Sequence, residues 1–381
     1  MKYLHSSCIK VVFRNAFFVA AGLSLSANSF SQEQAGEPPL KFEASYVGDV
    51  VGNLRGGIKT GAKYLGLANM AMSVNTENAG WWRGGEFFVK GASTHGSSPT
   101  ERLVGDFQTL SNIDGGNHTF LFELWYKQAI GNVELKFGLQ DLNAEFANSD
   151  NGALFINSSF GIPSVIPDNV PAPVFPLTAV GLSLQWNVTE FLGWKGIVYG
   201  GQVYDFDDNE YNVRWNINPN DGVLAVTEFN ITPECGSTCV YKVGGYYFDN
   251  GSDSDDDYNY GFYFIGDQTL WSGGSKRLDL FAQAAVSPKN RNCHNYYLGG
   301  GLNLYGLFDK RGENCLGLAV AHAGFDDSEF RHETVIEACY KAAFLEHFYL
   351  QPDLQYIISP AGGETDARNA FAAILRFGVE F

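Results

Sequence analysis

A membrane-spanning antiparallel β barrel of about sixteen strands is the all-β fold that this sequence predicts. Three observations predict it. Apolar and polar residues alternate along much of the chain, while helical periodicity is scarce. The alternating stretches run about 9–12 residues, the length of a tilted membrane strand, against about 5–6 for strands of soluble sheets. The connections alternate too, with short turns on one side and long polar loops on the other. Closing the sheet removes the exposed edges that so much strand would otherwise leave, which disfavours a soluble barrel or sandwich.

Composition agrees. Charged residues are only 18% of the 381, low for a water-facing surface, while aromatics reach 15% and Gly numbers 44. The net charge of −17 sets nucleic acid aside as a partner, because a phosphate backbone needs cations. No later stretch has about 18 consecutive apolar residues, so no transmembrane helix is expected. At the start, Lys2, Lys10 and Arg14 flank or precede an apolar run near 16–25, and Ser29 and Ser31 are small residues before Gln32. Residues 1–31 therefore read as a secretory signal peptide and 32–381 as the barrel domain.

The individual strands follow by period 2. HTFLFELWYKQ (118–128) places Phe120, Phe122, Leu124 and Tyr126 on one face, with Leu121, Glu123, Trp125 and Lys127 on the other. After the tight turn AIGN, NVELKFGLQ (132–140) opposes Val133, Leu135, Phe137 and Leu139 to Glu134, Lys136, Gly138 and Gln140. KRLDLFAQAAV (276–286) opposes Leu278, Leu280 and Ala282 to Arg277, Asp279 and Gln283. HFYLQPDLQYII (347–358) sets Phe348, Leu350, Leu354 and Tyr356 against Tyr349, Gln351, Asp353 and Gln355, with Pro352 on the apolar face at the loss of one ladder donor. AFAAILRFGVEF (370–381) closes the set: Phe371, Ala373, Leu375, Phe377, Val379 and Phe381 face one way, while Arg376 and Glu380 face the other. An outer-membrane barrel points the apolar face at lipid, and Phe381 then sits in the aromatic girdle at the rim.

Several stretches carry a resemblance: YVGDVVGNLRGGIKTGAKYLG (46–66), FLFELWYKQ (120–128), VELKFGLQDLNAEFA (133–147), FINSSFGIPSVIPDNVPAPVFPLTAVGLSLQW (155–186), LDLFAQAAVSP (278–288) and the ending LQPDLQYIISPAGG…AILRFGVEF. In order and spacing they resemble the carbohydrate-selective porins of the OprB family. The resemblance spans nearly all of the chain after residue 31. It implies a sixteen-stranded barrel in a Gram-negative outer membrane, narrowed by inward-folded loops, that passes small neutral sugars. No nucleophile or acid–base set held by neighbours is found in the sequence, so no catalysis and no cofactor are expected. The partners the resemblance suggests are sugars, outer-membrane lipid and lipopolysaccharide, and the barrel-assembly machinery through Phe381; monomer and oligomer both stay open. The five cysteines after the signal and the acidic run at 249–257 lie outside the resemblance.

With apolar faces toward lipid, the opposite faces line the lumen. They supply Glu123, Trp125, Lys127, Glu134, Lys136 and Gln140, leading into Asp141 and the long connection at 147–177. Arg277, Asp279, Gln283, Glu337, Gln351, Asp353, Gln355 and Arg376 belong to the same set. Sugar hydroxyls both donate and accept, so carboxylates, amides and guanidinium forks suit them together. An indole such as Trp125 packs on the apolar face of a pyranose. Weak, distributed contacts let a solute leave again. The plainer reading of each residue is an ion pair that only stiffens the barrel.

Other chemistry is thin. GGIKTGAK (56–63) lacks the GK[ST] ending of a phosphate loop, and HETVI (332–336) lacks a second His at metalloprotease spacing. Glu333 and Glu337 sit about 13 Å apart along a strand, too far to act as a carboxylate pair by themselves. DFDDNE (205–210) and DSDDD (253–257) lack the Gly and Glu of a calcium loop and read as solvated acidic segments. CGSTC (235–239) has no partner motif at zinc spacing, so no metal site is expected. An exported chain oxidises its thiols. The loop between the strands of Cys315 and Cys339 is centred near 327 or 328, so the two are expected nearly opposite and bridged. Cys235–Cys239 is the second expected bridge, with Cys293 free. A general diffusion porin, or less favourably an enzyme on a barrel rim, are the competing functions.

Overall fold

In the computed structural model, residues 38–381 are described apart from 201–202, 216, 218–221, 236–237, 252–257, 309–312, 327–330, 346 and 364–366. The expected signal segment and the DSDDD run lie outside the described residues. The sixteen strands are β1 (Leu40–Gly57), β2 (Gly61–Asn75), β3 (Gly85–Gly96), β4 (Thr119–Ile130), β5 (Val133–Gln140), β6 (Ala179–Asn187), β7 (Leu192–Gly200) and β8 (Val223–Ile231), followed by β9 (Cys239–Asp249), β10 (Tyr258–Gly273), β11 (Lys276–Val286), β12 (His294–Tyr305), β13 (Cys315–Phe325), β14 (His332–Leu345), β15 (Phe348–Ile358) and β16 (Arg368–Glu380). Each pairs antiparallel with its sequence neighbours, and β1 pairs with β16, so the barrel is closed. Phe381 stays in the ladder beyond β16, donating its N–H to the Ala44 carbonyl and accepting the Ala44 N–H.

The in–out pattern is that of a membrane barrel. On β16, Leu375 is 45% exposed and Arg376 only 5%, and Phe381 just past the strand is 72% exposed. The same inversion recurs on β13, where Leu316, Leu318 and Val320 face out, and on β15, where Gln351, Asp353 and Gln355 are buried between exposed Leu354 and Tyr356. Polar residues are inside because only the lumen gives them partners; apolar residues are outside because only lipid accepts them. Among the described residues no helix is long and apolar enough to cross a membrane, and the strands do the crossing. Connections such as 131–132 and 274–275 lie at one end, and 97–118, 141–178 and 201–222 at the other. Near the short-turn end Trp81, Trp82, Phe87 and Tyr126 form an outward aromatic group, with Trp82 Nε1 donating to Tyr126 Oη at 2.8 Å.

Two long connections fold inward and fill the barrel, as the family resemblance implied. Connection 97–118 buries Leu103, Val104 and Leu110; connection 141–178 buries Leu142, Phe146, Phe155, Ile156, Phe160 and Val165 among them. A short α-helix, Val165–Asn169, and two 3-10 turns shape the second connection. The apolar core of this protein is therefore in the lumen, built by loops against the inward sides of the strands.

One strand departs from simple alternation. The β3–β4 register jumps between Lys90↔Glu123 and Gly91↔Leu121, leaving Phe122 as an inserted bulge residue. The bulge turns Phe120 and Phe122 inward, where they pack with Leu65, Leu67, Ala92 and Phe175 and not against lipid as period 2 suggested. Beyond the bulge β4 also loses β5, which turns into the lumen at Asp141. Residues 203–215 of the β7–β8 connection fill that gap: Leu121 N–H donates to the Tyr211 carbonyl at 3.0 Å, and Asn212 Nδ2 donates to the Leu121 carbonyl at 3.1 Å.

Candidate functional site

The polar lumen residues divide into two arcs. The first lies on β3 to β7. Trp125 on β4 opposes Gly138 on β5, whose φ is +138° and where a Cβ would come within 2.2 Å of the Leu124 carbonyl oxygen. Only glycine admits this backbone approach. The indole lies against Phe88 of β3, with ring centroids 4.8 Å apart and planes at 17°. Its Nε1–H reaches Glu123 at 3.3 Å, and the Lys136 ammonium lies 4.5 Å from the ring centroid. Phe88 and Lys136 thus both cover the indole, so a sugar that stacks there has to displace the ammonium.

Around this aromatic pair the charges form a chain. Lys127 pairs with Glu86 at 2.8 Å and Glu134 at 3.6 Å. Lys136 pairs with Glu145, which hangs from the inward loop. Lys195 on β7 pairs with Glu228 on β8 at 3.1 Å and donates to the Glu145 carbonyl at 2.5 Å. Burial pushes the Glu145 carboxyl up, but the Lys136 ammonium, then Lys195 and Lys127, outweigh it and hold it below its usual value. A small recess of about 20 Å³, room for about one or two water molecules, opens here, lined by Lys127, Glu134, Lys136, Glu145, Ser183, Gln185 and Lys195. Gln140 and Asp141 sit just above it. Gln140 donates to the Gly181 carbonyl at 2.8 Å and accepts from Ser183; Asp141 accepts the Asn143 N–H at 3.0 Å. Burial, and then the nearby Glu123 carboxylate, push Asp141 up to about 7.

The second arc runs from β10 to β16 and on to β1. Here the side chains hold loop backbone. Glu337 accepts the N–H of Ile156 (2.6 Å) and Asn157 (2.9 Å). Glu333 accepts those of Phe107, Gln108 and Ala361 at 2.7–2.8 Å. Gln351 donates to the Leu154 carbonyl and Gln355 to that of Leu110. Arg376 binds Asp49 through Nε and Nη2 at 2.7 and 2.8 Å, and its Nη2 also reaches Asn112 of the first inward loop at 2.7 Å. Glu333 and Glu337 each anchor a different loop, in agreement with their strand spacing. Arg277 and Asp279 pair at 2.7 Å near the β10–β11 turn, with Arg277 stacked 4.2 Å from the Tyr305 centroid and Thr269 donating to Asp279.

Sequence reasoning missed Glu86, Phe88, Lys90, Glu145, Lys195, Glu228 and Asp49. GEFFVK (85–90) carried the alternation that reveals the first three; Glu145 sits in a loop, where no period points. The cysteine expectation needs correction. Cys235 and Cys239 are disulfide-bonded, but Cys315 and Cys339 are free and buried, and Cys293 is in a disulfide where a free thiol was expected. Cys315 opposes Lys341 and Cys339 opposes Gly317, so the two thiols are offset by two residues. That diagonal separates Cα atoms by about 7–8 Å, too far for a bridge.

Comparison with known proteins places this geometry. Residues 59–381 match the model of the carbohydrate-selective porin, OprB family. Porin B of Pseudomonas aeruginosa is 22% identical, over 91% of this chain and 88% of its own. Among solved structures, the high-pH structure of Pseudomonas putida OprB superposes with a TM-score of 0.79 at 22% identity, covering 90% of this chain and 94% of that one. The low-pH structure of the same protein gives 0.59 at 20% identity, covering 90% and 93%. With a closed barrel, lipid-facing apolar strands and a family match over most of its length, the chain belongs to the OprB family of carbohydrate-selective porins, and it is an outer-membrane sugar channel and not an enzyme.

Proposed function

We propose that small neutral sugars cross this channel along the arc from β3 to β7, beneath the inward loop 141–178. The observation that carries the reading is the recess where Lys127, Glu134, Lys136 and Glu145 meet beside Trp125. Lys127, Glu134 and Glu145 pair through partly exposed side chains, while Lys136 is nearly buried, so sugar hydroxyls would exchange first with Lys127, Glu134 and Glu145. Arg277 and Asp279 offer a second polar step near the short-turn end. The inward loops support selectivity over free diffusion, because the two recesses beside them are small. The same reading takes residues 1–31 as an export signal. It sets lipid and lipopolysaccharide against the outward apolar faces, and Phe381, exposed on that outer surface, as the feature the barrel-assembly machinery recognises.

Planar-bilayer recordings of the purified channel test the reading. Ion current should fall saturably as a neutral monosaccharide is added. A current that persists without saturable block would favour a general diffusion pore. Absence of any channel current would overturn both readings.

A further inference from the structure

Glu337 and Cys339 of β14 and Asp353 of β15 converge on the lumen side of the clamped arc. Cys339 and Asp353 are direct cross-strand partners, and Glu337 is two residues along the same face. Their ligand-capable atoms lie within 4.8 Å of one another, and all three side chains are buried. Each retains an open position. The Glu337 oxygens take one backbone N–H apiece, from Ile156 and Asn157. Asp353 Oδ1 accepts from Gln355 at 3.2 Å, while Oδ2 is buried with no hydrogen-bond partner. Cys339 is a free thiol. The guanidinium of Arg376 is hydrogen-bonded to Asp49 and Asn112, through Nε and Nη2.

We propose that this trio binds a thiophilic divalent cation of the Zn²⁺ class. Cys339 Sγ, Asp353 Oδ2 and one Glu337 oxygen are the ligands, and water takes the fourth position. Two carboxylates alone would suit a hard ion held by oxygen; the thiolate between them selects a borderline-soft one. Three protein ligands with one open place is a common Zn²⁺ arrangement, and its bond lengths of about 2.0–2.3 Å require the side chains to close by on the order of 1 Å. Binding replaces the Cys339 S–H bond with an S–metal bond and releases that proton to solvent. The cation satisfies the orphan Asp353 oxygen and offsets the adjacent carboxylate charge. A proton shared between Glu337 and Asp353 would satisfy the carboxyls without the thiol, and it is the rival outcome.

The test uses the chain folded in detergent, with Cys315→Ser and Cys293→Ser so that Cys339 is the free thiol among the described residues. Cd²⁺ is the probe. A thiolate-to-cadmium charge-transfer band should grow and saturate near about one ion per chain. Zn²⁺ should displace it and slow reaction of Cys339 with a thiol reagent by about tenfold or more. Asp353→Asn should weaken Cd²⁺ binding by about tenfold while the protein still migrates as a folded barrel on unheated gels. Should that variant fail to assemble, Glu337→Gln supplies the same comparison. No band, or a band of unchanged affinity in the carboxylate variant that folds, overturns the site and leaves a lone thiol beside a proton-sharing pair.

Discussion

The arc from β3 to β7 and the arc from β10 to β16 are built from the same residue types, carboxylates, amides and cations on inward strand positions, yet they do opposite things. On the first arc Lys127, Glu134, Lys136 and Glu145 pair side chain to side chain beside a recess. On the second, Glu333 and Glu337 have given their oxygens to five backbone N–H groups of connections 97–118, 141–178 and 359–367. What separates the arcs is where hydrogen-bonding capacity is spent. A carboxylate holding loop backbone is committed, because releasing it strands buried donors. A partly exposed carboxylate facing an ammonium can exchange partners with a passing hydroxyl.

Breaking the committed arc should have the largest effect. Arg376→Met leaves Asp49 fully buried without its guanidinium and removes the bond to Asn112. Losing one partner of a buried pair costs about 3–5 kcal/mol. We expect a clearly lower urea midpoint in detergent and loss of the heat-resistant folded band. A midpoint within error of the parent would mean that Asp49 and Arg376 do not brace the barrel.

Glu333→Ala comes next. It strands three N–H groups, two of them buried and each of those worth about 1–3 kcal/mol when unsatisfied and not strictly additive. The strand ladder is untouched, so the barrel should persist while connection 97–118 loosens. Single-channel conductance and current noise should both rise. Unchanged conductance would show that the loop is held by its apolar contacts alone.

Variants of the open arc sharpen the contrast, because they should spare stability. Trp125→Ala removes the indole over which Lys136 lies, and sugar block should weaken by about 1 kcal/mol, several-fold in the blocking constant. Conductance should stay equal or rise. Glu134→Gln removes one lumen carboxylate near Lys127 and should lower cation preference. If both variants assemble normally with sugar block and selectivity unchanged, this arc is not the sugar path, and the Arg277–Asp279 step becomes the next candidate.

The barrel was legible because period 2 is local: each strand announces its lipid face without reference to any other. Three things were not. The Phe122 bulge inserts one residue, and alternation read along β4 alone cannot show that β3 has skipped it. The loop clamps join residues such as Ile156 and Glu337, which only the closed barrel brings together. The cysteine offset came from the loop centre. A centre at 327 opposes Cys315 to Cys339, whereas the observed Cys315↔Lys341 pairing centres on 328, and one residue of centre moves the partner by two. Within the site, residue types and inward faces were readable, but whether each side chain was free or committed was not, since the loops that commit them carry no period.

The smallest expected effect tests the border between the arcs. Asp141 stands where β5 leaves the wall and the inward loop begins. Burial pushes its carboxyl up to about 7, and Glu123 of β4 and Glu145 of its own loop add to that, while Lys90 of β3 opposes it. Tyr199 of β7 is also close enough to feel its charge. The carboxyl is thus neutral in the folded channel below about 7 and charged above, whereas in the unfolded chain it ionises near an ordinary value of about 3.9. Between these limits the folded state binds more protons than the unfolded one, so its contribution to stability falls as pH rises from about 4 to about 7 and is level beyond. In the lumen the same titration adds one negative charge at the mouth of the recess. Cation selectivity in bilayers should therefore rise by a small step as pH is taken from about 5.5 to 8.5. Asp141→Asn should abolish that step without altering sugar block, because Asp141 is bonded to Asn143 of the loop and stands outside the lysine chain. A step that survives in Asp141→Asn would move the titrating group elsewhere, and loss of sugar block in the same variant would place Asp141 in the open arc.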